Sequence, residues 1–213
     1  MLHRLASVII AVALVACGGS GGGGSDDAGV PPADASMASP KANVRFKGND
    51  RLRADFARAL ALGSGKVCNE LGRYSCTHQV HRVQLQGTAP YDLGLYKPLE
   101  SSTMTAPVAV ERIALSACGQ RADRDLGATG DPVIWIGLDL QSGKLVDVNA
   151  ASVTSAITTL YRRALQRDPT GDELDHHRWL YGEVDRIGSG NTARDWAVLS
   201  CFSVMTSLEQ LFY

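Results

Sequence analysis

The sequence has no excess of either charge, because 21 lysine and arginine residues are matched by 22 aspartate and glutamate residues, with a formal net charge of −1. Removing residues 1–16, in which Arg4 is the one charged side chain, would make the chain more negative by one unit. General electrostatic binding of nucleic acid needs a basic patch or stripe. The charge balance therefore excludes nucleic acid as an expected partner.

Familiar catalytic motifs are also missing. Residues 43–213 contain no Gly-x-Ser-x-Gly sequence that could form the nucleophile elbow of a serine hydrolase. The sequence Gly63-Ser64-Gly65-Lys66 has only part of a phosphate-binding loop, because the earlier glycine and the full spacing are absent, and a turn at a helix end explains it better. We expect no catalytic residue and no cofactor, which favours a non-enzymatic protein.

The first residues carry the clearest signal in the chain. Leu5–Ala16 is a stretch of 12 residues that are all apolar except Ser7, shorter than the roughly 20 that a membrane-spanning helix needs. A basic start, this run and the sequence Leu14-Val15-Ala16-Cys17 indicate a secretory signal peptide over residues 1–16. Its ending resembles the lipobox of bacterial lipoproteins. The resemblance implies cleavage before Cys17 and a diacylglyceryl group on the Cys17 sulfur; the alternative is a plain secretory signal cut near Ala16.

Residues 17–42 form the predicted tether, which consists of the lipidated Cys17 and a flexible segment rich in glycine, serine and proline. A glycine-rich coil of about 23 residues spans roughly 26 Å root-mean-square. Gly18 stands where Gram-negative lipoproteins retained in the inner membrane have aspartate, so the resemblance implies a lipoprotein of the outer membrane. Residues 43–213 are then one helical domain attached to the membrane by its lipid.

Four cysteines follow Cys17, and an even number in an oxidising compartment indicates two disulfides with three possible connectivities. They are Cys68, Cys76, Cys118 and Cys201. We predict the pair Cys68–Cys76, whose members are close in sequence, and the pair Cys118–Cys201, which closes a long loop.

The fold class is mainly α, a compact helical bundle linked by these disulfides. Apolar periodicity and helix punctuation predict helices over residues 49–62, 67–83, 106–125, 152–167, from about 170 to 187, and 192–211. A capping box of Thr170 and Glu173 begins the fifth helix, and Thr192 is the expected cap of the last. The last helix is apolar almost all round, so we expect it in the centre of the bundle. A small β-hairpin is expected near 133–148, and the polar side of helix 106–125 is expected to include Arg121 and Asp125.

Residues 157–213 carry a second pattern, in the segments Leu160–Thr170 and Trp196–Tyr213. The pattern resembles a helical module of secreted planctomycete- and myxobacteria-type proteins of unknown function, some of which are fused to cytochrome domains. The heme-attachment sequence Cys-x-x-Cys-His is absent here, which argues against a cytochrome. The resemblance supplies no active-site residue.

Two histidine neighbourhoods could carry chemistry. Cys68, Cys76, His78 and His81 could ligate zinc, but their spacing fits no standard zinc motif and a disulfide competes for both thiols, so His78 and His81 remain weak metal candidates. His176 and His177 follow acidic residues at a helix start, where acids are favourable because of the helix dipole. An envelope metal-binding protein or enzyme that uses either pair is the alternative function.

The first hypothesis for function is a lipid-anchored, non-enzymatic domain that binds another envelope protein or scaffolds an assembly. The segment Gly87–Thr105 is its expected contact surface, because a loop of this length is uncommon inside a compact domain. Packing of the loop by its own aromatic residues, Tyr91 and Tyr96, is the favoured alternative for this segment. The arginines Arg162, Arg163 and Arg167 are expected on a solvated helix face with salt-bridge partners, and Trp135, Trp179 and Trp196 in the core or at its rim.

Overall fold

The computed structural model describes residues 45–99, 103–127, 131–188 and 190–212. Its α-helices are α1 Gly48–Ala59, α2 Pro90–Leu93, α3 Ala106–Leu126, α4 Ala151–Ala164, α5 Gly171–Ile187, α6 Thr192–Met205 and α7 Leu208–Leu211. Its strands form two antiparallel pairs, β1 Asn69–Glu70 with β2 Tyr74–Ser75, and β3 Leu140–Gln141 with β4 Lys144–Leu145. The predicted mainly helical fold is confirmed. The predicted signal peptide, the lipidated Cys17 and the tether lie outside the described residues.

Helix α6 occupies the middle of the bundle, as predicted. It packs against α3, α4 and α5, and the side chains of Trp196, Ala197 and Met205 are fully buried. The helix ends at Met205, and α7 follows as a separate short helix. The predicted cap at Thr192 is wrong by one residue, because the side chain of Asn191 accepts the hydrogen bond from the backbone N–H of Arg194.

Both predicted disulfides are confirmed. Cys118 on α3 bonds to Cys201 on α6, with 5.6 Å between the Cα atoms, so the two most extensively packed helices are also covalently joined. Cys68 bonds to Cys76, with a Cα–Cα distance of 5.5 Å. This second bridge closes the base of the β1–β2 hairpin.

The predicted helix over residues 67–83 is wrong for most of its length. Strands β1 and β2 occupy its first half and are joined by a turn in which Leu71 and Gly72 have φ of 52° and 68°. A π-helical turn, Cys76–Val80, follows. Positive φ at two successive residues reverses the chain, which a right-handed helix cannot do.

The expected hairpin near 133–148 is present but shorter. Strands β3 and β4 are joined by Ser142 and Gly143, whose φ values of 51° and 76° suit a tight two-residue turn. The apolar run at 133–136 is not a strand. The backbone N–H groups of Val133, Ile134 and Trp135 donate instead to the side chain of Asp125, near the end of α3.

Arg121 and Asp125 are buried, and the expectation that they lie on the polar side of α3 is wrong. Their side chains are 3% and 0% exposed and form an ion pair of 2.6 Å. Arg121 also donates to the carbonyl oxygen of Leu60 at 3.3 Å, just after α1. The pair serves as an internal cross-link, because both charges find partners that stand in for water.

The two ends of the described chain meet. Phe46 and Phe212 form an antiparallel β-bridge, and the backbone N–H of Lys47 donates to the carbonyl oxygen of Leu211 at 3.1 Å. The two phenyl rings pack edge to face with centroids 5.8 Å apart. Phe46, where the folded domain begins after the predicted tether, therefore lies beside the end of α7.

Candidate functional site

The histidines of the first neighbourhood are held by separate carboxylates. His81 Nε2 lies 3.1 Å from Glu70 Oε1, which Arg112 also contacts at 3.0 Å, whereas His78 Nδ1 lies 3.7 Å from Asp50 Oδ1. The sulfur atoms of Cys68 and Cys76 are joined to each other. Within the described ranges, no cluster of three or more His, Cys, Asp or Glu residues is arranged to hold a metal ion.

The histidines of the second neighbourhood point in different directions. His176 is exposed and stacks against Trp179, with ring centroids 5.4 Å apart. His177 is buried, and its Nε2 lies 3.2 Å from the hydroxyl of Tyr161. Burial, aided by the neighbouring His176, lowers the pKa of His177 to about 4. His177 is therefore neutral at pH 7 and lies in the core.

The start of α5 is a structural network. The predicted capping box is confirmed, because the Thr170 hydroxyl accepts from the backbone N–H of Glu173 and the Glu173 carboxylate accepts from that of Thr170. Arg167 bridges Glu173 at 2.7 Å and Glu209 at 3.0 Å. The hydrogen bond from Arg167 is the main reason why the pKa of Glu173 falls to about 2. These acids stabilise the helix start and its junction with α7.

The arginine group is only partly as predicted, because Arg162 and Arg167 have carboxylate partners whereas Arg163 is partly buried and bonds to backbone carbonyl oxygens. Arg162 forms an ion pair with Asp168, and Arg163 donates to the carbonyl oxygens of Ala59 and Arg58 at 2.6 and 2.9 Å. These bonds satisfy carbonyl groups at the end of α1. The tryptophans divide as expected, with Trp135 and Trp196 in the core and Trp179 exposed.

Residues 89–96, here called the tyrosine loop, form a small closed structure. The backbone N–H of Ala89 donates to the carbonyl oxygen of Leu95 at 3.0 Å, and the N–H of Leu95 donates back at 3.2 Å. Between them lies the single turn of α2, which ends at Gly94 with φ of 64°. Ala89 is buried and fixes the base of the loop.

The side chains of the tyrosine loop lie in solvent. Tyr91 is 99% exposed and Tyr96 is 77% exposed, and Leu93 between them is exposed as well. The favoured alternative, that the aromatic residues pack the loop down, is therefore wrong for both tyrosines. The backbone hydrogen bonds and Ala89 hold the loop instead, which leaves the tyrosine rings available for contact with another molecule.

A second surface, here called the cationic cleft, was not predicted. Lys47, Arg51 and Arg58 surround the buried carboxylate of Asp55, with N–O distances of 3.0, 3.2 and 3.7 Å. Burial alone would raise the pKa of Asp55, but the hydrogen bond and charge of Lys47 and the charge of Arg51 lower it below its ordinary value. The cluster thus holds three positive charges and one negative charge. The spacing of Arg51 and Arg58 at four before and three after Asp55 is the signal that could have revealed it.

Comparisons of the chain with protein-family models, with curated proteins and with solved structures give no match in any of the three. The resemblances to bacterial lipoproteins and to the helical module remain predictions. Among the helices in the described part of the chain, none is both long and apolar enough to cross a membrane.

Proposed function

We propose that this chain is a lipid-anchored, non-enzymatic binding domain of the bacterial cell envelope, with Cys17 as the lipid-bearing residue and the tyrosine loop as its contact with a protein partner. The lipobox Leu14–Cys17 supports the anchor. The pairing of all four remaining cysteines into two disulfides supports an oxidising compartment. Gly18 after the lipidated residue favours the outer membrane over the inner one.

The anchor has a direct test. In a bacterium with the lipoprotein-processing pathway, the mature chain should enter the detergent phase of a detergent partition, and its mass should include a diacylglyceryl group on residue 17. The variant Cys17→Ser should remain in the aqueous phase, because its hydroxyl is not the sulfur that receives the lipid. An unmodified chain in the aqueous phase, cut near Ala16, would contradict the anchor and leave the secretory alternative.

The observation that carries the binding role is the exposure of Tyr91 and Tyr96 on a loop closed at Ala89 and Leu95. Tyrosine is enriched at protein interfaces because a large amphipathic ring is brought into contact at a low cost in side-chain entropy. A backbone that is already fixed lowers the further entropic cost of binding. In the described part of the chain, the side chains of the two histidine neighbourhoods form ion pairs, a helix cap, an aromatic contact or part of the core, which favours binding over catalysis.

Site-specific photo-crosslinking in the native envelope tests the contact surface. A photoreactive phenylalanine analogue placed at Tyr91 or Tyr96 should form one discrete adduct with the same envelope protein. The matched control is the same analogue at Trp179, an exposed aromatic residue on α5. The variants Tyr91→Ala and Tyr96→Ala should lose that partner in co-purification, whereas Trp179→Ala should retain it. Equal adducts from all three positions, or none at Tyr91 and Tyr96, would contradict the proposal.

A further inference from the structure

The face of the domain that the tether reaches has two cavities of opposite chemistry. Phe46 lines the first, and Lys47, the next residue along the chain, lines the second. Phe212, whose backbone bridges to Phe46, lines both. The two cavities therefore adjoin at the Phe46–Phe212 pair.

The first cavity, here called the apolar groove, has a volume of about 340 Å³. Hydrophobic side chains form most of its wall: Phe46, Pro107, Val110, Leu208, Leu211 and Phe212. Leu208 on this wall is 76% exposed, and Met104 and Val108, which lie next in sequence to the lining residues Thr103 and Pro107, are 99% and 56% exposed. An apolar groove whose wall includes an exposed leucine favours an interaction site.

The second cavity is the cationic cleft, about 600 Å³ in volume. Asp55 neutralises one of its three positive charges, and Glu209, on the same wall, is already paired with Arg167. The side chains of Arg51 and Arg58 are more than half exposed. The cleft therefore presents solvent-accessible guanidinium groups whose charge is not fully compensated, which suits a phosphate or another anionic group.

We propose that this face binds the surface of an anionic lipid bilayer, with lipid phosphate groups in the cationic cleft and hydrocarbon against the apolar groove and its exposed rim. A lipid is the ligand that places an anionic group directly beside hydrocarbon, which matches the order of the two cavities across the Phe46–Phe212 pair. Basic side chains attract anionic lipids while apolar side chains enter the headgroup boundary.

This assignment rests in part on the lipid anchor of the proposed function. From Cys17 to Arg45 the chain advances 28 residues, and a coil of that length and composition spans about 29 Å root-mean-square. A lipid on Cys17 would hold the face close to the bilayer, so that a weak contact is made at high effective concentration. The contact would fix which side of the domain faces the membrane and which side the partner.

Vesicle sedimentation tests the contact without the lipid anchor. The chain from residue 17 with Cys17→Ser, exported so that both disulfides form, is mixed with vesicles of phosphatidylglycerol and phosphatidylethanolamine or of phosphatidylcholine alone. At low salt, the chain should bind the anionic vesicles at least tenfold more tightly than the phosphatidylcholine vesicles. Salt at 0.5 M should weaken its binding to the anionic vesicles.

Matched variants locate the binding face. Arg51→Gln with Arg58→Gln should weaken binding to anionic vesicles about tenfold or more, because each basic residue near the surface contributes roughly fivefold. Arg112→Gln with Arg186→Gln removes the same charge from exposed side chains elsewhere and should have little effect. Leu208→Ser should weaken binding more than Ile187→Ser, a similarly exposed residue on α5.

Three results would overturn the inference: equal binding to anionic and neutral vesicles, equal losses in the two arginine pairs, or an unchanged affinity in Leu208→Ser. Thermal unfolding of each variant confirms that the fold is retained before its binding is compared. Because this chain carries no lipid, a failure here leaves the anchor untouched. If the detergent partition shows that Cys17 carries no lipid, the vesicle sedimentation still tests the binding face.

Discussion

Asp125 lies one helical turn after Arg121 on α3 and, within the described structure, holds both the arginine and the next segment of chain. One carboxylate oxygen is 2.6 Å from the Arg121 guanidinium and 2.8 Å from the backbone nitrogen of Val133. The other accepts from Ile134 and Trp135 at 2.9 and 3.0 Å. A single side chain therefore accepts the three backbone N–H groups of residues 133–135, which a neighbouring strand would otherwise bind.

Replacing Asp125 with alanine should destabilise the domain by about 3 to 5 kcal/mol, because Arg121 would remain buried without its partner and three backbone N–H groups would lose their acceptor. Urea unfolding followed by circular dichroism measures the difference. Asp123→Ala is the control, since Asp123 lies on the same helix in a more exposed pair with Arg194 and should cost less than about 1 kcal/mol. Equal costs would refute the internal role of Asp125.

The two disulfides should contribute unequally. Cys118 and Cys201 are separated by 83 residues and Cys68 and Cys76 by 8. The loop-entropy model then gives roughly 4 to 5 kcal/mol for the first bridge and about 2.5 kcal/mol for the second. Paired alanine variants, one for each bridge, are compared by chemical unfolding under non-reducing conditions. A larger loss for Cys68→Ala with Cys76→Ala would contradict this order.

Stability should fall between pH 6.5 and pH 4 because of His177. The unfolded chain takes up a proton near the ordinary pKa of 6.5, whereas burial delays protonation of the folded state to about pH 4. Acidification across this window therefore favours unfolding, by on the order of 2 to 3 kcal/mol at its lower end.

The variant His177→Gln separates this effect from that of the carboxylates. Its amide can still bond to the Tyr161 hydroxyl but does not titrate, so its free energy of unfolding should change less between pH 7 and pH 4.5 than that of the wild type. Urea unfolding at several pH values measures both slopes. Identical slopes would show that His177 is not the group responsible.

The cap of α5 should be worth about 1 kcal/mol. Thr170→Ala removes the hydroxyl that accepts from the N–H of Glu173 and should lower the thermal unfolding temperature. Thr159→Ala, in the middle of α4, should raise it slightly or leave it unchanged, because alanine has the higher helix propensity. A loss at Thr159 as large as that at Thr170 would mean that capping is not the cause.

Local signals in the sequence predicted the helices whose ends are marked by capping residues, glycine or proline. Thr170 and Glu173 stand three residues apart before an apolar periodic run, and that spacing alone defines the capping box. The apolar character of α6 predicted its central place, since a helix without a polar face has to be covered on all sides. The short separation of Cys68 and Cys76 along the sequence favoured their pairing, which left Cys118 to pair with Cys201.

Features that depend on distant partners could not be predicted in the same way. Arg121 and Asp125 have the spacing of a solvated surface pair, and it is their contacts with Leu60, Asp131 and the 133–135 segment that make burial favourable. The cationic cleft likewise needs Lys47, which the bridge between Phe46 and Phe212 brings beside Asp55. No local pattern encodes a bridge between the two ends of the fold.

That bridge gives the fold a circular order. A short connection from Phe212 to Phe46 would close the chain into a ring, and the ring could be opened at Leu71, which is highly exposed at the tip of its hairpin. Such a circular permutant should keep both disulfides and the α3–α6 core while its attachment point moves from Phe46 to the tip of the β1–β2 hairpin. The tether could then join the domain at this hairpin instead of at the Phe46–Phe212 bridge, with no change to the buried core.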